Sequence, residues 1–261
     1  MILRRVTANV RRQDWTAVAV ELAVVVVGVF IGLQASNWNE ARETEGKAAR
    51  FAESLRADMR AEAWGYEYQI HYYGNVLSNA ERAVDALTGK APLADEALLI
   101  SAFRATQYNE NVRRRATYDE LTSTGAIGLI RDQALRETAM RLYNTNNLNN
   151  IVQDGRASLY RKAFRMDVPN DAQRSLEKEC GDRVAVVGDY KTNFTDAINY
   201  SCSPGLPEET IAASVAALRG DPELIRLLRL RVADLESNVA NLLVYEGDIH
   251  TALREFTRGQ Q

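Results

Sequence analysis

The chain is short of the residues from which most metal, redox and nucleotide chemistry is built. It has two cysteines, Cys180 and Cys202, and two histidines, His71 and His250. No Cys-x-x-Cys or His-x-x-x-His spacing occurs, which argues against a metal site. A Gly-rich phosphate loop and a Gly-x-Ser-x-Gly elbow are both missing, and neither histidine adjoins a nucleophile in sequence. The expectation is therefore a protein without catalytic residues, cofactor or metal. A net charge of −3 over 261 residues supplies no basic surface for nucleic acid. Only five prolines interrupt a chain rich in alanine, leucine and arginine, a composition that favours helix throughout.

What the chain does have is one long greasy run. Trp15 to Gln34 contains a single ionisable residue, Glu21, and is long enough, at roughly 1.5 Å per residue, to cross a hydrocarbon layer of about 30 Å. Trp15 and Trp38 flank it where interfacial aromatics lie. A core strand would be shorter and bounded by turn residues. A cleaved signal peptide is the main rival, but Leu33-Gln-Ala35 is a poor cleavage site and the apolar run is too long. The segment 15–36 thus reads as an uncleaved transmembrane helix.

Arg4, Arg5, Arg11 and Arg12 precede the run against one acid, Asp14, whereas Glu40, Arg42, Glu43 and Glu45 follow it. The positive-inside rule then puts residues 1–14 in the cytoplasm and residues 37–261 across the membrane, the periplasm of a bacterium. At 100° per residue Glu21, Gly28 and Gly32 share one helix face with Asp14 and Asn39. Gly28-Val-Phe-Ile-Gly32 is a small-xxx-small motif that admits a close helix partner, either a second copy or a span of a larger complex. A carboxylate on that face is less costly against protein than against lipid, the simpler alternative being a Glu21 that snorkels or pairs with Arg11 or Arg12.

Beyond the span, Leu55, Met59, Ala63, Tyr66, Ile70, Tyr73, Leu77, Ala80, Val84 and Leu87 alternate steps of four and three, the pattern of a long packed helix. The tyrosines 66, 68, 72 and 73 read as core first and pocket lining second. Asp95 is expected to cap a helix from Glu96 to about Gln107. Arg113, Arg114 and Arg115 read as scattered ion pairs, with anion binding the alternative. A corner of Ser123, Gly125 and Asp132 ends one helix near Gly125 and caps the next at Asp132. That helix carries Leu135, Ala139, Leu142, Leu148, Val152 and Leu159, and ends near Met166. The amides at 144, 146, 147, 149 and 150 suggest a local break or exposed face within it.

Residues 167–207 read as an irregular insertion containing a strand-like run, Arg183 to Val187. In an oxidising compartment its two cysteines would pair, stabilising the fold by roughly 3 kcal/mol. The glycosylation patterns at Asn193 and Asn199 mean little in a bacterial protein. Pro207 opens a helix to about Arg219. Asp221-Pro222-Glu223 opens the last, striped by Leu228, Val232, Leu235, Val239, Leu242, Ile249 and Leu253. The expected fold is all-α: one N-terminal transmembrane helix, then an antiparallel bundle of about four principal helices with a small Cys-bounded insertion.

Two patches, Gly32-Leu-Gln-Ala-Ser-Asn-Trp-Asn-Glu40 and Tyr118-Asp-Glu-Leu-Thr-Ser-Thr-Gly125, resemble a group of bacterial single-span inner-membrane proteins of unknown function. The resemblance covers the first half of the chain and implies topology, not chemistry. It also implies a helix or headgroup contact at the membrane exit through Asn37, Trp38, Asn39 and Glu40. Together these readings point to a non-catalytic interaction protein touching membrane lipid and another transmembrane helix. An accessory subunit, a proton-coupled device using Glu21, or a ligand sensor acting through a partner are the alternatives.

Overall fold

The computed structural model describes residues 15–110, 112–245 and 247–258; the basic N-terminus 1–14 lies outside them. Among the described residues there is helix and loop but no strand. Helix α1 runs Trp15–Leu87 without a break. The span and the first striped helix, read from sequence as separate elements, are thus one 73-residue helix. Nothing between them stops it: no proline lies in that stretch, and neither Gly65 nor Gly74 interrupts the helix, because a lone glycine costs only about 1 kcal/mol there.

The chain divides into two compact units between Glu53 and Ser54. In the first, the helix is long and apolar enough to cross a membrane, and its large side chains are open: Val24, Phe30 and Leu33 are each more than half exposed. Arg42 lies over the Trp38 ring at 4.9 Å.

The second unit is a bundle around the C-terminal part of α1. The elements that follow are α2 (Asp95–Arg104), α3 (Ala116–Ser123), a 3₁₀ turn (Ala126–Leu129), α4 (Gln133–Asn144), α5 (Asn147–Ala157), α6 (Leu159–Asp167), α7 (Asn170–Cys180), α8 (Glu208–Gly220), α9 (Pro222–Ala240), a π-helical turn (Asn241–Tyr245) and α10 (Gly247–Thr257). Helix α9 packs on α6, α5 and α8; α2 packs on α7 and α8; α10 packs on α4. Of the expected stripe on α1, Leu55, Met59, Ala63, Tyr66, Tyr73 and Ala80 are fully or almost fully buried.

Several boundaries differ from the sequence reading. Asp95 is the first residue of α2 and caps nothing; it takes an ion pair from Arg219 at 3.0 Å instead. Helix α4 ends at Asn144 and α5 begins at Asn147, so the amide-rich run is the break it suggested, with Asn144, Asn146, Asn149 and Asn150 exposed. Ser158 then starts α6 by accepting from the Arg161 amide. The irregular region is narrower than 167–207, because Asn170–Cys180 is helical. Arg183–Val187 forms no strand: residues 183–186 have no regular secondary structure and Val187 begins a turn. The final helix is divided at the π turn, where the Leu242 carbonyl accepts the Tyr66 hydroxyl at 2.9 Å.

Candidate functional site

The best-formed cleft in the second unit lies between α1 and the loop after Cys180. It has a volume of about 550 Å³, is open to solvent, and is lined by Trp64, Tyr68 and Gln69 from α1, by Asn109, Glu110, Val112 and Arg114, and by Asp182, Arg183, Val184, Ala185 and Val187. Three local arrangements build it.

The floor comes from α1. Trp64 and Tyr68, one turn apart, stack with ring centres 5.0 Å apart and planes 8° from parallel. The Trp64 indole N–H donates to the Asp189 carbonyl at 2.9 Å, and Phe194 packs against both rings. Burial pushes the Tyr68 hydroxyl up to about 12, so it stays protonated. Gln69 is 1 % exposed; its amide nitrogen donates to Asn109 Oδ1 at 3.1 Å while its carbonyl oxygen finds no donor among the described residues.

The first wall hangs on a buried ion pair. Arg113 Nε meets Glu62 Oε2 at 2.8 Å, and its Nη2 donates to the Leu142 carbonyl at 3.1 Å. The Arg114 backbone N–H donates to the other Glu62 oxygen, and the Tyr143 hydroxyl donates to the Arg114 carbonyl. Arg115 pairs separately with Asp119 at 2.9 Å. Two members of the arginine triplet, Arg113 and Arg115, thus form ion pairs, while Arg114 is engaged through its backbone N–H and carbonyl.

The second wall is the loop 181–207. Cys180 and Cys202 lie at disulfide distance, with Cα atoms 5.5 Å apart. Their pairing closes a loop of 22 residues, worth roughly 3 kcal/mol in chain entropy. The Arg183 amide donates to the Ala197 carbonyl at 2.8 Å, and the Tyr200 hydroxyl to the Gly181 carbonyl at 2.7 Å. The buried Arg104 of α2 donates to the Tyr200 carbonyl at 2.8 Å. The Arg183 guanidinium lies 3.5 Å over the Tyr200 ring. So fastened, the loop holds Asp182 beside α1, where Oδ2 accepts the Tyr72 hydroxyl at 2.8 Å. Crowding by protein moves the Asp182 carboxyl up to about 6, although the Tyr72 hydrogen bond opposes that shift. Asp182 is nonetheless open to solvent at the cleft mouth, and exposed Val112, Val184 and Val187 rim it.

Behind the cleft, Arg231 of α9 is 2 % exposed yet has no carboxylate in contact among the described residues. It donates to the Ala105 and Gln107 carbonyls at 3.3 and 3.1 Å, while Arg161 donates to the Thr106 carbonyl at 3.0 Å. These carbonyls follow the C-terminus of α2, where the helix dipole favours cations. Gly155 of α5 lets that layer close: a Cβ there would come within 2.5 Å of Tyr108.

The residues singled out from sequence fall in both units. Gly28 and Gly32 have nothing within 4 Å of a notional Cβ, and Glu21 is half-buried with one carboxylate oxygen lacking a hydrogen bond among the described residues. Asn37, Trp38, Asn39 and Glu40 are exposed. At the corner, Ser123 donates to the Glu120 carbonyl, Gly125 adopts φ 72°, and Asp132 accepts from the Leu135 amide at 3.0 Å and from Arg56 at 2.8 Å. His250 stacks on Tyr66, and His71 meets Phe194 edge-on. Among the described residues no cluster of three or more potential metal ligands occurs.

Sequence reasoning missed Trp64, Gln69, Asn109 and Asp182 as one group. The tyrosine-rich stretch of α1 was the only signal. No family model, no curated protein and no solved structure matches the chain.

Proposed function

We propose that the chain is a single-span protein of a bacterial inner membrane that works by association rather than catalysis. Its N-terminus stays in the cytoplasm and its helical bundle stands in the periplasm. Through the face bearing Gly28 and Gly32 it binds another transmembrane helix. The observation that carries this reading is the open apolar surface of α1 in the first unit, with Val20 63 %, Leu22 64 % and Ile31 61 % exposed. In water such a run costs roughly 25 cal/mol for each Å² left uncovered, whereas lipid covers it at no such cost. Clear space beside Gly28 and Gly32 supports close approach of a second backbone on that side.

A half-buried Glu21 with one oxygen unsatisfied among the described residues favours a second reading, in which the span docks on a larger complex and its carboxylate faces that partner or exchanges a proton with it. Crosslinking in intact cells, followed by mild-detergent purification, distinguishes the two. Self-association predicts a crosslinked dimer that Gly28→Leu with Gly32→Leu abolishes; an accessory role predicts a heterologous partner lost in the same variant. A monomer without partner in both forms, or a C-terminal reporter active only in the cytoplasm, overturns the proposal. Glu21→Gln retaining all the functions lost on deletion removes the proton-coupled version.

A further inference from the structure

The cleft beside Trp64 is biased toward acceptors. Among the described residues the Gln69 carbonyl has no donor, and its amide nitrogen is already committed to Asn109. A buried acceptor left unpaired is unfavourable, so the site gains from a donor brought by something else. Among the described residues Asp182 has one hydrogen bond, from Tyr72, and no ion pair within 4 Å. Of the other charged groups in the lining, Arg183 covers the Tyr200 ring and Glu110 is paired with Arg156, while Arg114 meets Glu62 through its backbone N–H. Around these polar groups the lining is aromatic and aliphatic, from the Trp64–Tyr68 stack to Val112, Val184 and Val187.

We propose that this cleft binds a small organic ligand bearing a primary ammonium group on an apolar body. The ammonium sits between the Asp182 carboxylate and the side of the cleft formed by Gln69, and the body lies along the aromatic floor and valine rim. An ammonium has three donors and no acceptor, which matches what the cleft offers. Aromatic faces add a cation–π attraction. The cleft volume falls within the range of roughly 300–1,000 Å³ usual for small-molecule sites. A carboxylate ligand is the rival, since Arg114 and Arg183 also line the cleft. It would leave the Gln69 carbonyl unpaired and lie against Asp182.

Protonation supplies a further signature. Asp182 faces Tyr68 and Tyr72 of α1, Arg104 of α2, Arg161 of α6 and Glu177 of α7. With its carboxyl up at about 6, ammonium binding weakens as the solution is acidified through that point.

The test uses the full chain in mild detergent, titrated by calorimetry with phenethylamine and, separately, with 3-phenylpropionate. Expected is saturable binding of the amine near neutral pH, about tenfold weaker at about pH 5 and at least about tenfold weaker in Asp182→Asn. Because that substitution touches the Tyr72 bond, the exposed rim position Val184 provides a second arm. There Val184→Lys weakens and Val184→Glu strengthens the amine by severalfold. Absence of saturable amine binding, tighter binding of 3-phenylpropionate, or equal amine affinity in both Val184 variants overturns the proposal.

Discussion

Helix α1 is two different objects along one backbone. Up to Glu53 its apolar side chains are exposed, and its few internal partners are short-range ones such as Lys47–Glu43 and Arg42–Trp38. From Ser54 onward one side of the helix is covered, and between Glu62 and Gln69 only Glu67 escapes full burial. Both halves are helical for the same local reasons: no proline and strong helix formers. What differs is the solvent each is built for. The first half is satisfied by any apolar surroundings, while the second is satisfied only by particular groups in particular places, such as Arg113 for Glu62 and Leu242 for Tyr66.

The largest break in that contrast should come from Glu62→Ala. It strands the Arg113 guanidinium in a site where the two side chains are 11 % and 2 % exposed, and is expected to destabilise the second unit by about 3–5 kcal/mol. Denaturant titration followed by fluorescence of the buried Trp64 measures it; a midpoint equal to wild type would mean the pair is not buried. Next comes a matched pair. Leu55→Ala removes a fully buried side chain and should cost about 2–5 kcal/mol, whereas Leu33→Ala, at a residue 58 % exposed, should leave the same transition within about 0.5 kcal/mol. Equal effects would erase the distinction between the halves.

The smallest effect belongs to Asp132, whose carboxyl lies below its ordinary range because the Leu135 amide and Arg56 hold its charged form. A depressed carboxylate stabilises the fold above its unfolded pKa of about 3.8 and loses that contribution as pH falls through the folded value. Asp132→Ala should cost about 1 kcal/mol at neutral pH, mostly from the helix cap, since the Arg56 pair is solvent-screened. The difference from wild type should fade in acid below that range, as stability against pH records; a pH-independent deficit would assign the effect to something other than the charge.

The stripe from Leu55 to Ala80 was legible because a 3.6-residue period makes one buried face visible. Burial on the other faces left no such trace, which is why Glu62, Trp64 and Gln69 escaped notice. The corner at Gly125 and Asp132 was equally plain, since a left-handed turn and an N-cap each select few residue types. The π turn was not, because no glycine or proline lies within Asn241–Tyr245 and the Tyr66 hydroxyl bonded to its Leu242 carbonyl is remote in sequence. The cleft was hidden for the same reason, its walls coming from three separate stretches. Arg231 left a clue that went unread: it continues the buried line Leu224, Leu228, Leu235 at a position where an aliphatic side chain belongs.

That arginine constrains how the bundle can assemble. A helix whose line is purely aliphatic can slide along its groove at modest cost, since one leucine replaces another. Helix α9 cannot, because a shift of one turn would carry a full positive charge away from the Ala105 and Gln107 carbonyls into surroundings that offer it nothing. Misaligned assemblies are thereby penalised far more heavily than the aligned one is favoured, and the guanidinium acts as a key that admits a single register.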